Sequence, residues 1–132
     1  MKLICDLSFI DNYVKNFYSN LERDSASIVN KSISPSLEGH PILVISLSTV
    51  EELINLYPER RLVLDTIFGI CEIVDIDMDN RIEILKKIVA VYEIEDKETY
   101  VVADDDYVIK EINKTSHKAI SIKTALEKVN SL

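Results

Sequence analysis

The sequence predicts an α/β protein of three layers, in which a central parallel sheet of about five strands is flanked by helices. The first observation is a set of short apolar runs, at residues 3–5, 42–45, 72–74, 100–102 and 119–122. The second is that apolar residues recur at helical spacing between these runs. Alternation of strands and helices favours a parallel sheet with helices on both faces. A length of 132 residues suits one domain, residues 1–132, with a full hydrophobic core.

Charge and composition exclude several classes of protein. The net charge of −8 argues against a broad basic face for nucleic acid, although acids that hold Mg²⁺ or Mn²⁺ would themselves add negative charge. Only 2 Gly and 3 Pro occur, which argues against an all-β fold and against a glycine-rich phosphate loop. No apolar run is long enough to span a bilayer, and Asp6 interrupts the first run too early for a signal peptide. We therefore expect a cytoplasmic protein.

The two cysteines, Cys5 and Cys71, lie in apolar runs that resemble strands. We expect both thiols to be buried, reduced and chemically idle, as suits a reducing compartment. Neither cysteine stands at a metal-binding spacing from His40 or His117, so the sequence predicts no zinc site.

The helical pattern is regular except between residues 23 and 40. The first helix is predicted from an apolar face that runs from Phe9 to Leu21. Beyond it, the pattern predicts only a short helix near residues 25–32. Pro35, Gly39 and Pro41 then indicate a loop, which is the sequence's candidate for a mobile or partner-binding segment.

Acidic residues follow the predicted strands at their carboxyl ends. They are Asp6 after the first strand, Glu51 and Glu52 at the start of the helix after the second, Asp75, Asp77 and Asp79 after the third, and Asp104, Asp105 and Asp106 after the fourth. Because the carboxyl ends of parallel strands share one edge, these acids could converge. Converging carboxylates repel each other unless a cation compensates them, and Mg²⁺ and Mn²⁺ prefer such oxygen ligands. Alternatively each acid caps a helix or lies in a solvated loop, which is the simpler explanation for any single one.

Three segments resemble the PIN-domain ribonucleases, which include the VapC-type toxins. Residues 3–8 (LICDLS) look like that family's opening strand, with an Asp followed two residues later by Ser, Thr or Asn. Residues 45–53 (ISLSTVEEL) are similar to its strand, Ser/Thr pair and Glu-Leu. Residues 101–107 (VVADDDY) look like its late segment, a strand followed by T-x-D-x-D-F. The order and spacing of the segments carry the resemblance, which covers nearly the whole chain.

The resemblance implies a PIN-like fold and a Mg²⁺- or Mn²⁺-dependent endoribonuclease that hydrolyses RNA phosphodiesters. Asp6, Glu52, Asp79 and Asp104 would then be the catalytic and metal-binding residues. Asp6 and Asp104 would hold the metal, and Glu52 would be a ligand or position water. Asp79, or else Asp77, would be the family's third Asp, which opens the helix before the fourth strand. RNA, an antitoxin or other protein, and a second copy of the chain are the partners that this family implies, with the dimer face on the second and third helices.

The chain departs from the family at two places. Val102 stands where Thr or Ser is usual, and residues 93–98 lengthen the distance between Asp79 and Asp104. Both departures leave open a degenerate PIN-like module that binds protein or scaffolds a complex. A receiver-like domain is disfavoured because its acidic pocket follows the first strand, whereas here the run of three aspartates is near the C-terminus.

Overall fold

The predicted three-layer α/β architecture is confirmed. In the computed structural model, which describes residues 1–76, 78 and 80–132, the strands form one parallel sheet in the order β3-β2-β1-β4-β5. The strands are β1 (Lys2–Cys5), β2 (Leu43–Ser46), β3 (Glu72–Val74), β4 (Thr99–Val102) and β5 (Ala119–Ile120). The calls on Asp77 and Asp79 fall outside the described residues.

Helices follow each strand. They are α1 (Leu7–Lys15), α2 (Asp24–Leu37), α3 (Leu47–Leu56), α4 (Arg61–Phe68), α5 (Arg81–Tyr92), α6 (Asp106–Asn113) and α7 (Ile122–Asn130), with a 3-10 turn at Pro58–Arg60 before α4. Within the part of the chain that the structure describes, none of them is long and apolar enough to cross a membrane.

The middle strand β1 separates the two apolar cores. It lies between β2 and β4, with Leu3 opposite Leu43 and Ile4 opposite Val101. Successive side chains of a strand point to opposite faces. Leu3 therefore joins a core with α1, α2, α3, α4 and α7, whereas Ile4 joins a smaller core with α5 and α6. Both residues are fully buried.

The first helix is shorter than predicted. It ends at Lys15, and Leu21 is 93% exposed, so the prediction of an apolar face that reaches Leu21 is wrong. The chain leaves the helix at Asn16, whose φ of −102° and ψ of 10° depart from helical values, and whose side-chain amide donates to the carbonyl of Asn12.

The second helix is longer than predicted. It continues through Pro35 to Leu37, so the predicted mobile or partner-binding loop is in part a packed helix. Ile28 and Val29 are buried in the core, and α2 packs against α7. Pro35 has no N–H to donate, so α2 lacks one helical hydrogen bond in its last turn. The chain then turns at Gly39, whose φ of +86° favours glycine.

Serine caps shift two element boundaries. Ser46 ends β2 and caps α3, because its Oγ accepts the Thr49 backbone N–H. Ser121 caps α7 in the same way, with Thr124 as the donor. Ile122 is therefore the first residue of α7 and not the last residue of a strand.

The cysteines are both reduced in the structure, but they differ in burial. Cys5 is buried, as predicted, whereas Cys71 is only partly buried, which corrects the prediction for that residue. Burial nonetheless raises the pKa of the Cys71 thiol to about 12 and also raises the pKa of Cys5.

We expect Cys71 to react slowly with a thiol reagent in the folded protein at pH 8. With a pKa of about 12, only about one thiol in ten thousand is the reactive thiolate at that pH. The labelling rate should rise about tenfold per pH unit from pH 8 to 10. A Cys5→Ser variant isolates the Cys71 signal, and a rate that levels off near pH 8.5 would contradict the expectation.

Leu53 and Leu56 offer a matched test of the core. Both lie on α3, but Leu53 is fully buried and Leu56 is 54% exposed. Leu53→Ala should lower the free energy of unfolding by about 2–5 kcal/mol, because it opens a cavity. Leu56→Ala should change it by about 0.5 kcal/mol or less. Urea denaturation measures the free energy of unfolding of each variant. Equal losses would contradict the assignment of Leu53 to the buried face of α3 and of Leu56 to its exposed face.

Candidate functional site

A cleft lies at the carboxyl edge of the sheet. Its volume is about 210 Å³, and it contains the predicted acids Asp6 and Glu52 together with a basic residue, Arg81. The remaining lining residues are Leu7, Ser48, Thr49, Met78, Ile84 and Leu85. The cleft therefore combines residues that follow β1 with residues from α3 and from the start of α5.

Asp6 is a carboxylate held inside the protein. It follows β1, its backbone N–H donates to Val102 of β4, and the residue is 1% exposed. Its Oδ2 accepts the backbone N–H of Ser8 at 3.1 Å and the Ser8 hydroxyl at 2.5 Å. Because α1 begins at the next residue, Asp6 is also the cap of that helix. A buried charge of this kind requires polar partners on every side.

Arg81 supplies the opposite charge. Its Nε donates to Asp6 Oδ1 at 2.7 Å, and its Nη2 donates to Asp6 Oδ2, so the pair is bidentate. Its Nη1 lies 3.4 Å from Asp105 Oδ2. The hydrogen bond to Asp6 raises the pKa of Arg81, and the negative charges of Asp6, Asp105 and Glu52 raise it further.

Reasoning from the sequence missed Arg81. The residue is the first of α5, after the cap Asn80, whose Oδ1 accepts the backbone N–H groups of Ile82 and Glu83. A cation in the first turn of a helix opposes the helix dipole. An arginine in the first turn of a predicted helix was therefore the feature of the sequence that could have indicated an acidic partner for Arg81.

Ser8 links the end of β1 to the end of β4. Its hydroxyl donates to Asp6 and accepts the backbone N–H of Asp104 at 2.8 Å. The Asp104 carboxylate accepts the side-chain amide of Asn12 at 3.1 Å, and the Asn12 oxygen accepts the hydroxyl of buried Ser25. The backbone of Asp104 is thus linked to Asp6 through the Ser8 hydroxyl, while the Asp104 side chain is oriented by Asn12 of α1.

The three consecutive aspartates have different roles. Asp105 is the cap of α6, because its Oδ1 accepts the Tyr107 N–H at 2.9 Å, and its other oxygen faces Arg81. Asp106 is the first residue of α6. Asp105 therefore caps α6, whereas the Asp104 carboxylate accepts a hydrogen bond from the side-chain amide of Asn12.

The described residues do not complete a metal site. Among residues 1–76, 78 and 80–132, no three His, Cys, Asp or Glu side chains are placed to hold a metal ion. Asp6 and Glu52 share the cleft, but Arg81 stands with them. Asp79 and Asp77 lie outside the described residues, so the set of Asp6, Glu52, Asp79 and Asp104 stays a prediction.

We expect Asp105→Ala to destabilise the protein more than Asp104→Ala. The first change removes the cap of α6, a loss of about 0.5–2 kcal/mol, whereas the second removes one exposed hydrogen bond to Asn12. Asp105→Asn should retain most of the stability, because Asn is also a good cap. Urea denaturation of the three variants tests this order, and a larger loss for Asp104→Ala would overturn the assignment of the cap.

Comparison of the chain with models of known families, with curated proteins and with solved structures gives no match.

Proposed function

We propose that this protein is a Mg²⁺- or Mn²⁺-dependent endoribonuclease of the PIN type. The observation that supports the proposal is the meeting of two carboxylates from separate elements, Asp6 after β1 and Glu52 on α3, in one cleft. In parallel α/β sheets, ligands bind at this edge. Ser8 brings the backbone of Asp104 to the same place.

The chain's own residues would hold the cleft rigid. Ser8 fixes the Asp6 carboxylate, and the Asn12 amide orients Asp104. The described acids need a further carboxylate to complete a metal site, and the sequence offers Asp79 or Asp77. In phosphodiester hydrolysis, such an ion supplies activation of water and polarisation of a phosphoryl oxygen.

The partners follow from the same proposal. RNA would be the substrate, and a bound divalent ion would offset part of the negative charge that otherwise repels it. An antitoxin or other protein partner and a homodimer belong to the proposal through the PIN resemblance alone. A cytoplasmic location belongs to it through the reduced cysteines and the absence of a signal-peptide pattern in the sequence.

The second candidate is a catalytically degenerate PIN-like module that binds protein or scaffolds a complex. One observation favours it. The Arg81 guanidinium already neutralises Asp6, so the fold does not need a metal ion to compensate this buried acid.

A circular single-stranded RNA tests the endoribonuclease proposal, because only an internal cut opens it. With Mn²⁺, the wild-type protein should cleave the circle, and a chelator should stop the reaction. Asp6→Asn, Glu52→Gln and Asp104→Asn should each lower the rate by about 100-fold or more, the scale of groups that act on the reacting atoms. Calorimetry should show weaker Mn²⁺ binding by the same variants.

Asp65→Asn is the matched control, because Asp65 is an exposed acid on α4 that pairs with Arg61 away from the cleft. Its rate and Mn²⁺ affinity should equal those of the wild type. If the wild-type protein binds no Mn²⁺ and leaves the circle intact, the nuclease proposal fails and the binding module replaces it.

A further inference from the structure

We propose that the outer edge of β3 (Glu72–Val74) is a docking site for an extended, basic segment of a partner protein, which adds to the sheet as a sixth strand. The inference goes beyond the proposed function, because this surface contains neither Asp6 nor Glu52. In this mode of recognition, main-chain hydrogen bonds supply affinity, and the side chains of the added strand supply specificity.

The main-chain groups of β3 pair on one side only. Within residues 1–76, 78 and 80–132, β3 pairs with β2 alone, and Ile73 lies opposite Ile45. The outer side of such a strand presents N–H and C=O groups with which another extended chain can pair. None of the three residues of β3 is buried, although the strands of a parallel sheet are normally covered on both faces.

Ile73 supplies an apolar contact at this edge, because its side chain is 45% exposed. Its two neighbours in the strand point to the other face of the sheet. Glu72 accepts the hydroxyl of Tyr92 on α5, and Val74 packs against the smaller core. An apolar residue of an added strand would lie beside Ile73, and such cross-strand pairs stabilise a sheet.

The two edges of the sheet differ in their protection against pairing. At the opposite edge, β5 has only two residues, and Lys118 directly precedes it. Very short edge strands and lysine side chains are common means by which proteins prevent unwanted pairing. Near β3, by contrast, the sequence has no Lys, Arg or His between Arg61 and Arg81. The sheet is therefore protected at β5 and open at β3.

Charge favours a basic partner. A cavity of about 340 Å³ lies at the carboxyl end of β3, and its described lining contains two acids and no basic residue: Leu47, Ser48, Glu51, Asp75 and Ile76. The basic residues nearest to β3 in the sequence, Arg61 and Arg81, are each paired with an acid elsewhere. A lysine or arginine of the docked strand would enter this cavity and pair with Glu51 and Asp75. Such complementarity selects the partner and speeds its approach.

The same charges disfavour a second copy of the chain as the occupant. Pairing of β3 with β3 of another copy would bring the same acids to both sides of the contact, and each copy has a net charge of −8. Like charges that meet across an interface are unfavourable. The occupant is therefore a different chain, with basic residues that alternate with apolar ones.

Fluorescence anisotropy tests the proposal with the wild-type full chain and a labelled peptide of about ten residues, in which valine and lysine alternate. The peptide should bind saturably. A peptide with glutamate in place of lysine should bind at least about tenfold more weakly, because its charge repels the acids of the site. A valine–lysine peptide with N-methylated backbone amides should not bind, because it cannot form the hydrogen bonds of a strand.

Ile73→Lys should weaken binding of the valine–lysine peptide at least about tenfold, because it places a like charge at the edge. Ile94→Lys is the matched control, since Ile94 is 83% exposed in the turn between α5 and β4, and its affinity should equal that of the wild type. The double variant Glu51→Gln with Asp75→Asn should bind about fivefold more weakly and with less dependence on salt. Hydrogen exchange should show that the peptide protects the outer N–H groups of β3.

Equal binding by Ile73→Lys and the wild type would overturn the inference, and so would the absence of saturable binding or an equal affinity for the glutamate peptide. If Ile73→Lys does not fold, the N-methylated peptide decides the same question on the wild-type protein. Self-association of the wild type that Ile73→Lys abolishes would assign the edge to a second copy instead, and this too would overturn the inference. A chelator is present throughout, so the result for the peptide is separate from the result for RNA cleavage.

Discussion

A buried carboxylate must be compensated wherever the fold places it, and Asp6 imposes that constraint here. It stands at the end of the middle strand with 1% of its surface exposed. Its partners come from α1 and α5, and its backbone bonds to β4. One charge therefore ties together elements from both faces of the sheet. Residues as distant in the sequence as Ser8 and Arg81 take their positions from it.

Stability alone does not explain this assembly. A buried ion pair gains little over well-packed apolar residues, although removing only one partner is costly. The carboxyl edge of the sheet could have been closed with side chains such as Ile84 and Leu85, which already line the cleft. Instead the chain keeps an acid and an arginine there. The two proposed functions differ mainly in which cation serves Asp6, a metal ion or Arg81.

The periodicity of apolar residues predicted the order of strands and helices, because the two kinds of element have different periods. The runs around Ile4, Val44 and Val101 are fully buried strands, and the helix cap Ser46 lies at the end of the second of them. The convergence of Asp6 and Glu52 followed from the topology of a parallel sheet alone. The apolar face that was predicted to reach Leu21 ends earlier, because the backbone of Asn16 is not helical. The sequence left open which of the three consecutive aspartates caps α6, and in the structure it is Asp105. The pair of Arg81 and Asp6 joins residues 75 positions apart, which no local pattern records.

The same long separations determine when the cleft can form during folding. The bond between Ser8 and Asp104 spans 96 positions, and β1 has its longest register with β4, which is among the last strands of the sequence. Such pairings form slowly, because the chain must lose the entropy of closing a large loop before the stabilising contacts can form. On a ribosome, Asp6 would be made 75 residues before its partner Arg81. The nascent chain would therefore have no cleft, and no activity of the cleft, until α5 has been synthesised.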